Sequence, residues 1–250
     1  KEWQASKALH SGMPLDADGD AKRYRDWDNL QYIFRGIEKF MPWVRKVHFV
    51  TCGHKPVWLN TSYEKINWVQ HKDYMPKKYL PTFSSHPIEL NLHRIKGLSD
   101  KFIYFNDDTF VVDYIKAEDF FGKTGLPYDT AINTRITSID YNDPMGNIAL
   151  NNTAIINSHF DKNISIKSNW KKWLNLEYGI SNLIRSITFL PYPNFTGFLN
   201  PHLPAPFLKS SFEAVWKAEP DILSFISSNK FRSKLDVNQY LIRDWQIASG

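Results

Sequence analysis

The stretch Phe102-Ile-Tyr-Phe-Asn-Asp-Asp-Thr-Phe-Val111 runs from apolar residues into two adjacent carboxylates and back to apolar residues. This pattern predicts a buried β-strand that ends at Asn106, Asp107 and Asp108. Adjacent carboxylates are costly to desolvate without a cation or hydrogen-bond donors, and ligands bind at strand ends in α/β sheets. A divalent cation that bridges to a nucleotide's phosphates meets both conditions. The alternative is a surface turn, which Asn and Asp also favour.

The segments before this strand alternate between helix and strand. Apolar residues at helical spacing predict a helix from Leu30 that ends before Pro42, with Asp26 or Asp28 as its cap. Two strands and a second helix are expected next, at 46–51, 66–70 and 87–96. The alternation predicts an α/β layered core with a mostly parallel sheet.

The second half of the chain has a looser pattern. Residues 129–165 are rich in Asn, Thr and Ile and predict short strands, whereas 170–190 is apolar at helical spacing. Several prolines between 191 and 206 predict an extended connection that carries His202. Two further helices are expected, at 210–218 and 237–247.

The composition narrows the class of protein. With 250 residues, 42% of them hydrophobic, the chain is able to bury a sizeable core. The net charge of +5 favours an anionic substrate or an anionic membrane surface. No Arg/Lys-dense stripe marks a nucleic-acid binder, and no apolar run approaches the roughly 20 residues that cross a bilayer. The single cysteine, Cys52, excludes an intrachain disulfide framework and a Cys-based zinc site.

Arginines cluster around the start of the first predicted helix, at Arg23, Arg25 and Arg35, with Asp26 among them. Guanidinium groups match phosphate geometry, and helix N-termini attract anions. These residues are therefore candidates for phosphate binding, with ordinary solvated helix charges as the alternative.

The segment Leu80-Pro-Thr-Phe-Ser-Ser-His-Pro-Ile-Glu89 adds further polar candidates in Ser85, His86 and Glu89. Glu89 and His93 are four residues apart, so a helix would place both on one face. This spacing occurs in metal sites and is also common in ordinary surface pairs.

Two later residues complete the set of candidates. His202 stands between prolines in Asn200-Pro-His-Leu-Pro204, and restricted backbone freedom suits a positioned general base. Arg232 closes the segment Asn229-Lys-Phe-Arg232. An ordinary loop histidine and a structural arginine are the alternatives.

Taken in order, these segments resemble the conserved regions of the Stealth proteins. Arg25 to Asn60 and Leu80 to Asp108 are similar to the second conserved region of that family, and Pro201 to Arg232 is similar to the third. The resemblance spans residues 23–240 and is weakest over 129–190. Ordered similarity over this length is more specific than any single motif.

The resemblance implies a sugar-1-phosphate transferase. Members of the family transfer a hexose 1-phosphate from a UDP-sugar to a sugar hydroxyl. The group transferred is often an N-acetylhexosamine 1-phosphate, with UDP-GlcNAc as the donor. Bacterial members build phosphodiester-linked capsule or exopolysaccharide, and animal members tag lysosomal enzymes. The implied fold is a nucleotide-sugar-binding core of the GT-A or Rossmann-like kind with a helical C-terminal part, and the implied cofactor is Mg²⁺ or Mn²⁺.

The resemblance also implies roles for particular residues. In the implied reaction the acceptor hydroxyl attacks the β-phosphorus of the UDP-sugar and UMP leaves. Asp107 and Asp108 match the family's acidic pair and are expected to hold the cation. His202 and Arg232 match its histidine and arginine, and are expected to take the acceptor's proton and to neutralise the diphosphate. The substrate-binding candidates are Arg25, Asp26, Arg35, Ser85, His86, Glu89 and Asn106. Glu89 or His86 is the alternative group for orienting the acceptor or serving as the base.

The expected organisation is one catalytic core over residues 1–250, with 129–190 as a candidate insertion. The family's first region is expected just before Lys1, and its fourth region is not evident before Gly250. The expected partners are a UDP-sugar donor and a saccharide acceptor. Two cellular locations are compatible with the resemblance. They are the bacterial cytoplasm, with peripheral association with the membrane, and the Golgi lumen of an animal cell.

Two other functions compete with this one. A metal-dependent glycosyltransferase of similar architecture would release UDP rather than UMP. A non-catalytic carbohydrate-binding domain is favoured by the 15% aromatic residues, but it leaves the paired aspartates unexplained.

Overall fold

The computed structural model of the protein describes residues 2–11, 28–137 and 144–250, which form a mixed α/β structure. Helix α1 (Glu2–Ser11) comes first, and α2 (Leu30–Phe40) follows. Helix α2 confirms the apolar spacing, because Ile33 and Ile37 are buried and the helix ends before Pro42. Its N-cap position is Asn29 rather than the predicted Asp26 or Asp28.

A parallel pair of strands, β1 (Val47–Thr51) and β2 (Ile66–Gln70), confirms both strands expected in this region. Val47 lies opposite Ile66 and Thr51 lies opposite Gln70. A short helix, α3 (His71–Tyr74), follows directly, and a 3₁₀ turn covers Lys77–Tyr79.

The helix expected at 87–96 is shorter than predicted. Helix α4 (Ser85–Leu90) ends before Asn91, and a 3₁₀ turn (Leu92–Arg94) follows. The Asn91 side-chain amide donates to the carbonyl of Pro87 at 2.8 Å, which favours the end of the helix at this point. Glu89 and His93 therefore do not share one continuous helix, and both residues are buried rather than a surface pair. His93 instead stacks on Phe212, with ring centroids 5.6 Å apart.

Strand β3 (Lys101–Tyr104) confirms the strand that leads to the acidic pair, but its partner differs from expectation. It pairs antiparallel with β4 (Ala205–Leu208), so that Tyr104 lies opposite Ala205. The described residues thus form one parallel and one antiparallel pair of strands rather than a single mostly parallel sheet. The proline-rich connection returns alongside β3, and Pro206 fits there because an edge strand tolerates a missing N–H.

The second half of the described chain is mostly helical. The short strands expected over 129–165 are wrong where α5 forms, because Ile148, Ile155 and Ile156 fall on one buried face of that helix. The single helix expected over 170–190 is interrupted by a 3₁₀ turn (Leu176–Tyr178) and by Gly179 at φ +82°. The helices are α5 (Pro144–His159), α6 (Lys162–Ser168), α7 (Trp170–Trp173), α8 (Ile180–Thr188), α9 (Lys209–Ala218), α10 (Pro220–Ser228) and α11 (Gln239–Ser249).

Two apolar clusters hold these elements together. The larger one joins α4, β4 and the C-terminal helices around Phe207, Phe212 and Leu241. The smaller one packs α2 against the segment after β3, around Ile37, Met41 and Val111. A cleft of about 810 Å³ is lined by residues of both clusters and by the end of β3. In the described part of the chain, no helix combines the length and hydrophobicity required to span a bilayer.

Candidate active site

The end of β3 brings the acidic pair to His202. Because Tyr104 pairs with Ala205 in an antiparallel register, the residues just beyond the two strand ends run side by side. The Nε2 atom of His202 lies 3.0 Å from Oδ1 and 3.2 Å from Oδ2 of Asp108. Both side chains are more than half exposed, and both line the cleft together with Asp107. The structure therefore places three of the four residues with expected catalytic roles at the end of β3, and the fourth, Arg232, lines the same cleft.

A chain of polar side chains runs from the acidic turn to α4. The hydroxyl of Tyr104 donates to Oδ1 of Asn106 at 2.9 Å and lies 3.3 Å from Oε1 of Glu89. Thr109 fixes the turn by donating its hydroxyl to the Asn106 carbonyl at 3.0 Å. Burial first, and then the charge of Glu89, hold the pKa of Tyr104 well above its ordinary value. Tyr104 is thus a neutral donor that orients two cleft residues.

Glu89 occupies an unusual position for a carboxylate. Glu89 is only 6% exposed, and its Oε2 atom has no hydrogen-bond partner among the described residues. Glu89 is among the residues that line the cleft, although its Oε2 atom is itself buried.

Arg232 lies at the cleft on the loop that follows α10. Its Nη2 atom donates to Oγ of Ser85 at 3.3 Å, and no carboxylate of the described residues lies within ion-pair distance of the guanidinium. The stacked rings of Phe83 and Phe231, with centroids 5.3 Å apart, fasten this loop to the segment before α4. An exposed guanidinium without an acidic partner is suited to an anionic ligand.

His86 forms part of the cleft wall and is held from behind by a residue that the sequence patterns did not indicate. Its Nδ1 atom lies 2.8 Å from Oδ2 of Asp236, and both side chains are buried. Asp236 also accepts from the backbone N–H of Ser233 at 2.9 Å and from the side chain of Asn229 at 3.0 Å. One buried carboxylate thus orients His86 and shapes the loop that carries Arg232.

Helix α11 holds the loop that leads to His202. The guanidinium of Arg243 donates to the Leu199 carbonyl at 2.8 Å and to Oδ1 of Asn200, while it pairs with the carboxylate of Asp129. Next to it, burial raises the pKa of Asp244 to about 8, and the nearby Arg243 only partly opposes this rise. These contacts fix the backbone immediately before His202.

The donor set at the acidic turn is compatible with a hard divalent cation. The described residues contain no group of three or more His, Cys, Asp or Glu side chains that would form an all-protein metal cage. Mg²⁺ commonly binds through one or two carboxylates, with waters and substrate phosphates as its remaining ligands. Asp107 and Asp108, exposed at the cleft, are the residues that would supply the protein's ligands to such a site.

One of the predicted substrate-binding residues, Arg35, is not part of this geometry. Arg35 is exposed on α2, lies over the ring of Tyr32 at 5.6 Å and is not among the residues that line the cleft. Arg25 and Asp26 lie outside the described residues. The other four, Ser85, His86, Glu89 and Asn106, all line the cleft.

The sequence patterns did not indicate Asp236, Tyr104 or Tyr240, although the two tyrosines also line the cleft. Tyr104 looks like one more apolar position of a strand, and Tyr240 like one more position of a terminal helix. Asp236 is 150 residues from the histidine that it contacts. The one available signal was a lone acidic residue directly before the last predicted helix.

Comparison with known proteins matches this chain to one family. Residues 23–129 match the family region described as Stealth protein CR2, conserved region 2. The capsular polysaccharide phosphotransferase WcwK of Streptococcus pneumoniae is 44% identical over 92% of this chain and 67% of its own length. The receptor polysaccharide phosphotransferase WefC of Streptococcus oralis is 39% identical over 99% of this chain and 74% of its own. The exopolysaccharide phosphotransferase cps2G of Lactiplantibacillus plantarum is 37% identical over 100% of this chain and 72% of its own.

The resemblance expected from the ordered motifs is therefore confirmed, and it extends over nearly the whole chain. Relatives at this level of identity, aligned over most of both sequences, share a family rather than an isolated motif. The chain belongs to the Stealth family, and these relatives are phosphotransferases of polysaccharide synthesis.

Proposed function

We propose that this enzyme transfers a hexose 1-phosphate from a UDP-sugar to a hydroxyl of a saccharide, with UMP as the second product, in the synthesis of a capsular or extracellular polysaccharide. The observation that carries the proposal is the cleft that unites Asp107, Asp108, His202 and Arg232 in a chain whose relatives are polysaccharide phosphotransferases. An N-acetylhexosamine is the sugar class we favour, by analogy with the family.

The proposed reaction breaks a phosphoanhydride bond and forms a phosphate ester bond. The acceptor oxygen forms a bond to the β-phosphorus, and the bond from that phosphorus to the oxygen of the α-phosphate breaks. UMP leaves with the electron pair of that bond, and the acceptor proton passes to a base in the cleft. Such a transfer depends on the position of the reactants and on neutralising charge at the phosphate oxygens.

Asp107 and Asp108 are the residues that would hold Mg²⁺ or Mn²⁺. When bound there, the cation supplies positive charge to the phosphate oxygens of the donor. Asp108 has a second function in this account, because its carboxylate accepts from His202 and so fixes that ring at the edge of the cleft.

Arg232 would bind the diphosphate of the donor. Its guanidinium is exposed at the cleft, and among the described residues it donates only to the neutral hydroxyl of Ser85. A guanidinium stays positively charged at neutral pH and can donate two parallel hydrogen bonds to a phosphate.

The polar chain of Glu89, Tyr104 and Asn106 would orient the sugars. Glu89 and Asn106 both line the cleft, and their carboxylate and amide oxygens would be acceptors for sugar hydroxyls.

The binding of a nucleotide-sugar by a GT-A or Rossmann-like core remains part of the proposal. The parallel pair β1–β2 and the ligand cleft at the end of β3 support it. Association with a membrane surface through the net positive charge is likewise a proposal.

The competing enzyme is a metal-dependent glycosyltransferase, which would attack the anomeric carbon and release UDP. The two are separated by a UDP-sugar labelled with ³²P at the β-phosphate. We expect the label in the saccharide product, in a linkage that a phosphodiesterase cleaves. Label that stays with the nucleotide would contradict the proposal. The third alternative, a non-catalytic carbohydrate-binding domain, does not fit relatives that are transferases.

A further inference from the structure

A buried aspartate–histidine pair forms one wall of the cleft. The ring of His86 is 3% exposed and the carboxylate of Asp236 is fully buried, with 2.8 Å between Nδ1 and Oδ2. Asp236 accepts two more hydrogen bonds, from Ser233 and Asn229, so its position is fixed from three directions. His86 itself sits on α4, whose first turn is capped by Oγ of Ser84.

This arrangement determines which ring nitrogen of His86 is free. A carboxylate accepts hydrogen bonds, so Nδ1 carries the proton and Nε2 of the neutral ring keeps its lone pair. His86 lines the cleft, and its Nε2 makes no hydrogen bond with the described residues. The pair therefore offers a proton-accepting nitrogen to whatever occupies the cleft.

Resting on the transfer proposed above, we propose that His86, oriented by Asp236, is the base that takes the acceptor hydroxyl's proton. As the acceptor oxygen bonds to the β-phosphorus, its proton moves to Nε2 and UMP departs with the electron pair of the broken bond. Asp236 stabilises the resulting imidazolium through Nδ1–H. The proton then passes to solvent when the products leave.

The geometry favours His86 over His202 for this step. Nε2 of His202 is already engaged by both oxygens of Asp108, and its ring is 59% exposed on a connecting loop. His86 is held by a helix and by a buried partner, so its orientation is fixed before the substrate arrives. In this account, His202 positions Asp108, one of the two carboxylates that would hold the cation.

The first test reads the tautomer directly and needs no activity. Long-range ¹H–¹⁵N spectra of the full-length protein, with the His86 signals assigned from a His86→Asn variant, distinguish a protonated Nδ1 from a protonated Nε2. We expect His86 to be protonated at Nδ1, and the Asp236→Asn variant to lose this preference. A proton on Nε2 in the wild-type protein would overturn the proposal.

The second test separates the base from a binding residue. In His86→Asn the new amide still donates to Asp236, which keeps the Arg232 loop in place, while the proton-accepting nitrogen is gone. We expect the rate of ³²P transfer to fall by about 10²–10⁴-fold with the Kd for UDP-sugar unchanged. His159→Asn, which removes an exposed imidazole that pairs with Glu219 outside the cleft lining, should transfer at the wild-type rate.

The outcomes distinguish this inference from the proposed function. If the wild-type protein moves no β-phosphorus, the proposed function fails. If the wild-type protein does so and His86→Asn matches its rate, only the assignment of His86 fails. If His86→Asn loses UDP-sugar affinity in proportion to its rate, His86 is a binding residue and the base lies elsewhere.

Discussion

The Nε2 atom of His202 lies 3.0 Å from Oδ1 of Asp108, although 94 residues separate them in the sequence. The antiparallel pairing of β3 with β4 produces this contact, since it aligns the turn after one strand with the loop before the other. A single pair of strands thus presents the acidic turn and an imidazole to the same cleft.

Replacing Asp108 tests the acidic turn. Asp108→Asn keeps the shape of the side chain but removes the charge available to a cation, so we expect transfer to fall by about 10²-fold or more. Because the side chain is 65% exposed, far-UV circular dichroism and Tm should not change. Asp113→Asn is the control, since Asp113 is exposed and is not among the residues that line the cleft. Near-normal turnover of Asp108→Asn would contradict the metal assignment.

Removal of divalent cations should have a matching effect. We expect EDTA to abolish transfer by the wild-type protein and added Mg²⁺ or Mn²⁺ to restore it, while the same concentrations should leave Asp108→Asn inactive. The measurement is the transfer rate across a metal titration. A wild-type rate that is indifferent to EDTA would show that Asp107 and Asp108 have another purpose.

Arg232 should matter for donor binding through its shape as well as its charge. Arg232→Ala is expected to raise the KM for the UDP-sugar by about 10-fold or more, because a hydrogen bond to a charged group contributes about 1.5–3 kcal/mol. Arg232→Lys keeps the charge but not the planar fork, so it should recover only part of the affinity. Lys217→Ala, an exposed position on α9, controls for the change in net charge. Equal KM values for all three variants would remove Arg232 from the donor site.

Lys162 provides a test of the fold rather than of the site. Its buried ammonium donates to the carbonyls of Phe189 (2.6 Å), Leu190 (3.2 Å) and Tyr192 (2.5 Å) after the end of α8. Lys162→Met leaves those carbonyls without their donor, and we expect the free energy of unfolding to fall by roughly 2–4 kcal/mol. Lys167→Met, an exposed lysine on the same helix, should change it by less than about 0.5 kcal/mol. Urea unfolding of both variants measures the difference, and equal losses would contradict this account of Lys162.

The pH dependence of stability should carry a contribution from Asp244. Burial raises its pKa to about 8 from an ordinary 3.8, so between these pH values the folded chain holds a proton that the unfolded chain has lost. Its contribution to stability is therefore complete below about pH 4 and is lost as the pH rises towards 8. Each unit of pKa difference corresponds to about 1.4 kcal/mol.

Asp244→Asn should accordingly flatten the decline in the free energy of unfolding between pH 5 and pH 8, since its amide does not titrate. Urea unfolding at both pH values checks this, with Glu213→Gln as an exposed control on α9. A decline of the same size in Asp244→Asn and in the wild-type protein would show that other groups cause it.

Local patterns were enough to predict much of the first half of the fold. The apolar spacing of α2 and the short apolar runs of β1, β2 and β3 are local signals that tertiary packing did not override. Helix α5 was not predicted, because its Asn and Thr residues have weak helix propensity. That helix forms because Ile148 and Ile156 pack into the core and Asn152 bonds to Asn238 at its buried face.

Some residues of the candidate site could be predicted from local sequence, whereas others depend on contacts between distant segments. Asp107, Asp108 and His202 stood out because two carboxylates end an apolar run and a histidine stands among prolines. Asp236 did not stand out, because its role is to bind His86, which lies 150 residues away in the sequence. The antiparallel pairing of β3 with β4 was likewise hidden, since strand direction depends on which distant segment arrives beside the strand.

The identity of the released nucleotide tests the central claim most directly. Full-length protein would be incubated with UDP-N-acetylhexosamines, a saccharide acceptor and Mg²⁺, and the nucleotide products resolved by mass spectrometry. Sugar-1-phosphate transfer predicts UMP in equal amount to the saccharide formed, with no UDP. Release of UDP in step with product would contradict it, because the β-phosphate would then have stayed on the nucleotide.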